Sequence, residues 1–65
     1  MKLLVNNKTI EVEPNGTLVA VIEQFGASGA FAVAHNGQFV SQQDYATTTL
    51  NTNDKVEILS PIAGG

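Results

Sequence analysis

The sequence predicts a small α+β fold in which one helix covers one face of a mixed β-sheet. Three observations support this prediction: two alternating apolar–polar segments come first, a segment with helical spacing follows, and three further strand-like segments complete the chain. A single amphipathic helix and a half-apolar sheet can bury their apolar surfaces only against each other. With 65 residues, the chain forms one domain at most.

The first two strands are predicted to form a hairpin. Residues 1–6 and 9–13 each alternate between apolar and polar side chains. Between them, Asn6 and Asn7 tolerate the positive φ that a tight turn needs. Pro14 then ends the second strand, because it has no N–H to donate to a strand ladder.

The third element is predicted to be a short helix after Thr17, a natural N-cap residue, and before Gly26, which suits a helix C-terminus. Its apolar residues recur at helical spacing and define the buried face: Leu18, Val21, Ile22 and Phe25. Tertiary packing has to stabilise so short a helix.

The remaining strands are predicted at residues 31–35, 38–40 and 55–59, with Asn36-Gly37 as the strongest turn signal in the chain. A short helical turn is expected near Asp44-Tyr45. The resulting order, β-β-α-β-β-β, predicts a β-grasp (ubiquitin-like) architecture. We expect this domain to span residues 1–60, with residues 61–65 as a flexible tail.

Composition excludes several functional classes. The chain has no cysteine, so disulfides, thiolate nucleophiles and cysteine-ligated zinc are excluded. Its net charge is −3, with three lysines and no arginine, which argues against nucleic acid or an anionic membrane as a partner. An acidic surface suits a partner protein with a basic patch. No segment resembles a signal peptide or a membrane span, so a cytoplasmic location is expected.

No set of residues predicts an active site, so the protein is not expected to be an enzyme. His35 is the only histidine, and it is interpreted as a partly buried structural residue on the core face of its strand. The carboxylates show neither the spacing of a catalytic pair nor that of a metal site, and Asp54 is interpreted as a turn residue. No metal or bound cofactor is therefore expected.

The sheet face opposite the helix is predicted to bear an apolar surface for a partner protein. By alternation it carries the following residues: Leu4, Ala32, Ala34, Phe39 and Leu59. An open sheet face is normally polar in a monomer, so a contiguous apolar surface there indicates a docking site.

The chain ends in Ile62-Ala63-Gly64-Gly65. Two residues without Cβ atoms can thread a narrow channel and present a carboxylate to another protein's active site. Pro61 cannot donate to a strand ladder, which keeps the segment out of the sheet. From Leu59 the tail can extend about 20 Å at roughly 3.3 Å per residue. A rigid domain with such a tail has the layout of a carrier protein.

Four segments of the chain resemble the ThiS sulfur carriers of thiamine biosynthesis. They are Asn36-Gly37-Gln38-Phe39-Val40, Asp44-Tyr45-Ala46-Thr47-Thr48-Thr49-Leu50, Asn53-Asp54-Lys55-Val56-Glu57-Ile58-Leu59 and Ala63-Gly64-Gly65. The resemblance extends over essentially the whole chain. His35 and the Ser41-Gln42 pair depart from the family pattern. Pro61 is similar to the prolines before the Gly-Gly end of MoaD, the small subunit of molybdopterin synthase.

The resemblance implies a function for the tail. A ThiF-type enzyme would use ATP and magnesium to adenylate the Gly65 carboxylate, and a persulfide on another protein would convert it to a thiocarboxylate. The thiazole synthase, ThiG, would then receive the sulfur, while Gly64 would keep the tail slim. The alternatives are a MoaD-like carrier for molybdopterin and a non-covalent interaction domain that uses the open sheet face. A small enzyme based on His35 is the weakest alternative.

Overall fold

A computed structural model describes residues 1–60 of the chain, and the expected tail, residues 61–65, lies outside the described residues. The elements, in chain order, are β1 (Lys2–Val5), β2 (Lys8–Glu11), α1 (Leu18–Phe25), β3 (Ala32–His35), β4 (Gln38–Val40), a 3-10 turn (Gln42–Asp44) and β5 (Lys55–Leu59). This is the element order that the sequence predicts.

The five strands form one mixed sheet in the order β2-β1-β5-β3-β4. The pairs β1–β2, β3–β4 and β3–β5 are antiparallel, whereas β1 and β5 are parallel. The last strand therefore lies in the middle of the sheet, between the two hairpins. This arrangement, with one helix on one face, confirms the predicted β-grasp fold.

Two tight turns set the hairpin registers. In the first, Val5 pairs with Lys8, and both intervening asparagines have positive φ, 48° at Asn6 and 68° at Asn7. In the second, the two turn residues after His35 also have positive φ. Positive φ at both positions characterises the hairpin turns whose twist matches that of the flanking strands.

The core lies between α1 and one face of the sheet. The helix contributes Leu18, Val21 and Ile22, and the strands contribute a second set: Leu3, Val5, Val33, Val56 and Ile58. Leu50 is also buried, although it follows the polar segment in which the sequence pattern predicts no core residue. Next to the core, the rings of Phe31 and Tyr45 stack with a centroid separation of 6.3 Å.

Three local predictions need correction. Phe25 is 43% exposed rather than buried, because it is the last residue of α1 and Gly26, at φ 87°, turns the chain away there. Thr17 occupies the N-cap position without a side-chain capping bond, and its backbone instead pairs with Thr49. The strand bounds also differ: β1 and β2 span Lys2–Val5 and Lys8–Glu11 rather than residues 1–6 and 9–13, and β3 begins at Ala32, one residue later than predicted.

Within residues 1–60, no helix has the length and apolar character that a bilayer crossing requires.

Candidate functional site

The candidate site is the sheet face opposite α1. In β5, Val56 and Ile58 point into the core, so Lys55, Glu57 and Leu59 lie on the opposite face. The register continues this face into the neighbouring strands. Leu59 is paired with Ala32 and Glu57 with Ala34, and Ala34 is paired in turn with Phe39 of β4.

Phe39, Ala32 and Leu59 form the exposed apolar part of this face, called the apolar patch below. Phe39 is 74% exposed and Leu59 is 51% exposed. They lie in the strands on either side of β3, and the exposed Ala32 lies between those strands. A large aromatic and a leucine that remain accessible on one face indicate an interaction surface.

The other two residues expected in this surface behave differently. Ala34 lies on the predicted face but is only 7% exposed, because its small side chain lies between the larger Phe39 and Glu57. It therefore offers almost no surface to a partner. Leu4 is half-buried and pairs with Lys55, near the opposite end of β5 from Leu59. Leu4 is thus separated from the apolar patch, contrary to the expectation of one contiguous surface.

Asn6 fixes the end of β5 that carries Leu59. Its Nδ2 donates to the Ile58 carbonyl at 3.1 Å, and its Oδ1 accepts from the Ile58 N–H at 2.8 Å. The backbone N–H of Asn6 also donates to the Val56 carbonyl at 3.0 Å. The amide thereby continues the parallel β1–β5 ladder past the last paired residue. Because both backbone groups of Ile58 are bound, the adjacent Leu59 is held by a rigid strand.

A polar network joins the other end of β5 to the β3–β4 turn. His35 Nε2 lies 2.7 Å from Asp54 Oδ2, and Asn36 Nδ2 donates to Asp54 Oδ1 at 3.1 Å. The backbone N–H of Asn51 donates to Asp54 Oδ2 at 2.9 Å, and Asn36 Oδ1 accepts from the Lys55 N–H at 2.8 Å. The bonds of His35 and Asn36 connect the β3–β4 turn to the start of β5, and the Asn51 bond lies within the turn before β5.

The network determines the charge state of Asp54. Burial by itself raises the pKa of the Asp54 carboxyl, but the hydrogen bonds from His35, the Asn51 N–H and Asn36 together outweigh it. The net effect is a pKa below the ordinary value of 3.8. Because an ionised carboxylate can only accept, the short contact requires a proton on His35 Nε2.

This geometry supports the structural interpretation of His35. Its ring is partly buried, with the side chain 20% exposed, and Nε2 is directed at Asp54. Within residues 1–60, Nε2 donates to Asp54, and Asn36 Nδ2 lies 3.4 Å from it, where two donors form no hydrogen bond with each other. A general base also needs a group with a reacting proton against its ring, and no hydroxyl of residues 1–60 is hydrogen-bonded to His35.

A shallow groove of about 430 Å³ adjoins the apolar patch. Its wall includes the stacked Phe31 and Tyr45 together with Phe39 and Ala32. The groove extends the apolar character of the patch around the edge of β4. Over residues 1–60, no group of three or more potential ligand side chains is placed to hold a metal ion.

Sequence reasoning missed both side-chain networks. It treated Asp54 as an isolated turn residue and Asn6 only as a turn former. A signal was present, since the β-grasp order places β5 beside both β1 and β3, which brings Asn6 and His35 to the two flanks of β5. The predicted tail residues Ile62, Ala63, Gly64 and Gly65 lie outside the described residues, so their proposed role remains a prediction.

Comparison with known proteins identifies the family. The family model for ThiS matches residues 2–65. The chain belongs to the ThiS family. The match includes the terminal Gly64 and Gly65, although the structure does not describe them.

A solved structure supports the assignment of this ThiS-family chain. The crystal structure of the thiamine biosynthesis protein ThiS from Geobacter metallireducens is 26% identical, with a TM-score of 0.81, and the match covers 100% of both chains. A comparison with curated protein sequences gave no significant match. Together, the family match and the structural match support a sulfur carrier in thiamine biosynthesis.

Proposed function

We propose that this protein carries sulfur as a thiocarboxylate on Gly65 and donates it for thiazole formation in thiamine biosynthesis. The observation that supports this most strongly is the ThiS family match, which runs through residue 65 and so includes the Gly-Gly motif. The protein would be a cosubstrate of other enzymes rather than an enzyme, since group carriers hold the transferred atom while partners supply the chemistry.

The proposed chemistry begins with an unreactive group. A carboxylate has a poor leaving group, so a ThiF-type enzyme would transfer AMP from ATP to the Gly65 carboxylate and release pyrophosphate. Magnesium bound by that enzyme would neutralise the phosphate charge. The terminal sulfur of a persulfide on a donor protein would then attack the acyl carbon, forming a C–S bond as the bond to AMP breaks. Reduction of the resulting acyl disulfide by a thiol releases the thiocarboxylate.

The domain would supply recognition for these reactions. The apolar patch offers the adenylating enzyme and the thiazole synthase, ThiG, a surface with two large exposed side chains, Phe39 and Leu59. Apolar and aromatic side chains at the centre of an interface provide most of its binding energy. Gly64 would keep the tail slim in the partners' channels. The proposal includes a cytoplasmic location for this protein.

Intact-mass spectrometry tests the proposed modification directly. The protein is incubated with ATP, magnesium, the cognate ThiF-type enzyme and a persulfide donor protein. We expect the mass to rise by the difference between one sulfur and one oxygen atom, with fragmentation placing the change on Gly65. Reactions without ATP or without the donor are controls and should show no rise. A complete reaction that leaves the mass unchanged would contradict the proposal.

A complementation experiment assigns the pathway. Pro61 leaves a MoaD-like role in molybdopterin synthesis as the alternative, whereas the family match favours the thiazole branch. We expect the gene to restore growth of a strain that lacks its thiamine sulfur carrier. Restoration only in a strain that lacks the molybdopterin carrier would assign the protein to molybdopterin synthesis instead. The proposed thiocarboxylate chemistry on Gly65 would still hold.

A further inference from the structure

Glu57 occupies an unusual position on the open sheet face. It lies in the middle of β5, the central strand, with Leu59 and Lys55 as its neighbours on the same face. In the neighbouring strand β3 it pairs with the buried Ala34, and Ala34 pairs in turn with the exposed Phe39 of β4. The side chain is half-buried, unlike that of Glu23 on the helix, which is exposed. A carboxylate thus lies at the margin of the apolar patch.

This carboxylate has no charged partner in the part of the chain that the structure describes. The ion pairs found there join the N-terminal amine to Glu11 and His35 to Asp54. Lys55 lies on the same face two residues earlier, but it forms no ion pair with Glu57. Covering the patch with an apolar surface would remove more water from Glu57, which is unfavourable unless a cation or donor replaces that water.

We propose that Glu57 is a specificity-determining contact for the adenylating partner, which places an arginine or lysine against it within an otherwise apolar interface. This inference rests on the proposed function, which supplies that partner. An arginine fits best, because its planar guanidinium donates two parallel hydrogen bonds to a carboxylate and is more weakly hydrated than an ammonium group.

Charge favours a different protein over a second copy of this chain as the occupant. The net charge of −3 makes two copies repel each other, whereas a basic partner surface is attracted before contact. The combination of Phe39 and Leu59 with one acid at the margin of the patch therefore suits a partner that presents an apolar surface with a single cation. Such a pair fixes the register of the complex, which the apolar contacts alone do not specify.

The test compares Glu57→Gln with Glu23→Gln, which removes the same charge from an exposed position on the helix. Binding to the cognate adenylating enzyme is measured by calorimetry without ATP, and pyrophosphate release is measured with ATP. We expect Glu57→Gln to weaken binding by about tenfold or more, as expected for loss of a close interfacial charge pair, with a change of less than about twofold for Glu23→Gln. Raising the salt concentration should weaken wild-type binding more than binding of Glu57→Gln.

Each outcome has a distinct meaning. Equal binding by wild type and Glu57→Gln, with both folded by NMR, would overturn the inference. So would self-association of the wild type that Glu57→Gln alone removes, because the occupant would then be a second copy. If the enzyme binds wild type more tightly than Glu57→Gln but never adenylates it, the proposed function fails and the role of Glu57 in binding stands.

Discussion

At the residue scale, Asp54 joins its own turn to the distant segment that contains His35 and Asn36. Its two oxygens accept hydrogen bonds from His35, Asn36 and the Asn51 N–H. The side chains of Asp54 and His35 are 12% and 20% exposed, whereas Asn36 and Asn51 are exposed to water. Without the carboxylate the partly buried His35 Nε2 would lose its acceptor, which makes Asp54 more important than its position in a turn suggests.

Asp54→Asn should therefore destabilise the protein and alter its acid sensitivity. The pKa of Asp54 is lowered in the folded state, so its contribution is present above the unfolded value near 3.8 and is lost as the pH falls through the folded pKa. We expect a loss of about 1–2 kcal/mol at neutral pH, because the amide keeps one acceptor oxygen but loses the charge that strengthens the bond from His35. Because the variant lacks the titrating group, its stability should fall less steeply below about pH 4 than that of wild type.

Urea unfolding followed by circular dichroism between acid and neutral pH measures both effects. Asp44→Asn is the matched control, because Asp44 is exposed and only its backbone carbonyl accepts hydrogen bonds from Thr47 and Thr48. This control should stay within about 0.5 kcal/mol of wild type, as is usual for surface substitutions. An Asp54→Asn curve that parallels the wild-type curve at every pH would show that the network does not contribute through the carboxylate charge.

At the scale of elements, the end of α1 depends on the conformation of one residue. Gly26 has a φ of 87°, and its N–H donates to the Ile22 carbonyl at 3.0 Å. A Cβ at this position would meet no atom within 4 Å, so any cost of a substitution comes from the backbone and not from a clash. Glycine is favoured at this position because the left-handed region disfavours residues with a Cβ.

We expect Gly26→Ala to lower the free energy of unfolding by about 1–2 kcal/mol, the cost of a left-handed conformation for an ordinary residue. Gly26→Asn should cost less, since asparagine tolerates this conformation. Ser28→Ala, in the exposed loop that follows, serves as the control and should change little. Thermal or urea unfolding gives the order of stabilities, and equal stability of the alanine and asparagine variants would contradict the backbone explanation.

The elements were more predictable from sequence than the site was. Alternation, helical spacing and the Asn-Gly turn report on local geometry, so β4 and β5 begin and end as predicted. The accessible surface of the open face depends on the sizes of neighbours in other strands. Ala34 illustrates this, because alternation placed it on the correct face while its partners Phe39 and Glu57 cover it.

The same reason explains the missed networks. His35 and Asp54 belong to different predicted elements, and Asn6 binds Ile58 across the parallel pair that only the complete sheet creates. Single-sequence patterns indicate which residue types suit a turn, but they do not indicate which strand a turn residue meets. Leu50 is similar, since a single apolar residue after a polar segment has no periodic pattern to mark it as core.

At the scale of the whole molecule, we expect recognition and chemistry to be separate. The apolar patch lies on the rigid sheet, and the proposed reactive group lies on Gly65, outside the described residues. A surface substitution should therefore affect how tightly a partner binds, whereas a change at Gly65 should affect what the bound partner can do. This division also distinguishes the two functional hypotheses, because only a sulfur carrier needs Gly65, whereas a non-covalent interaction domain needs only the sheet face.

Leu59→Asp and deletion of Gly65 test the division together. We expect Leu59→Asp to weaken binding of the adenylating enzyme by about tenfold or more, since a charge would replace an apolar contact in the centre of the interface. Val19→Asp, at a 37% exposed position on the helix, is the control and should bind normally. Deletion of Gly65 should preserve the fold and most of the binding but abolish sulfur transfer. If Leu59→Asp prevents binding while the protein lacking Gly65 still complements in cells, the protein is a non-covalent interaction domain, because the deletion leaves the terminal carboxylate on Gly64, about 3.3 Å short of the position that a carrier would present to its partner.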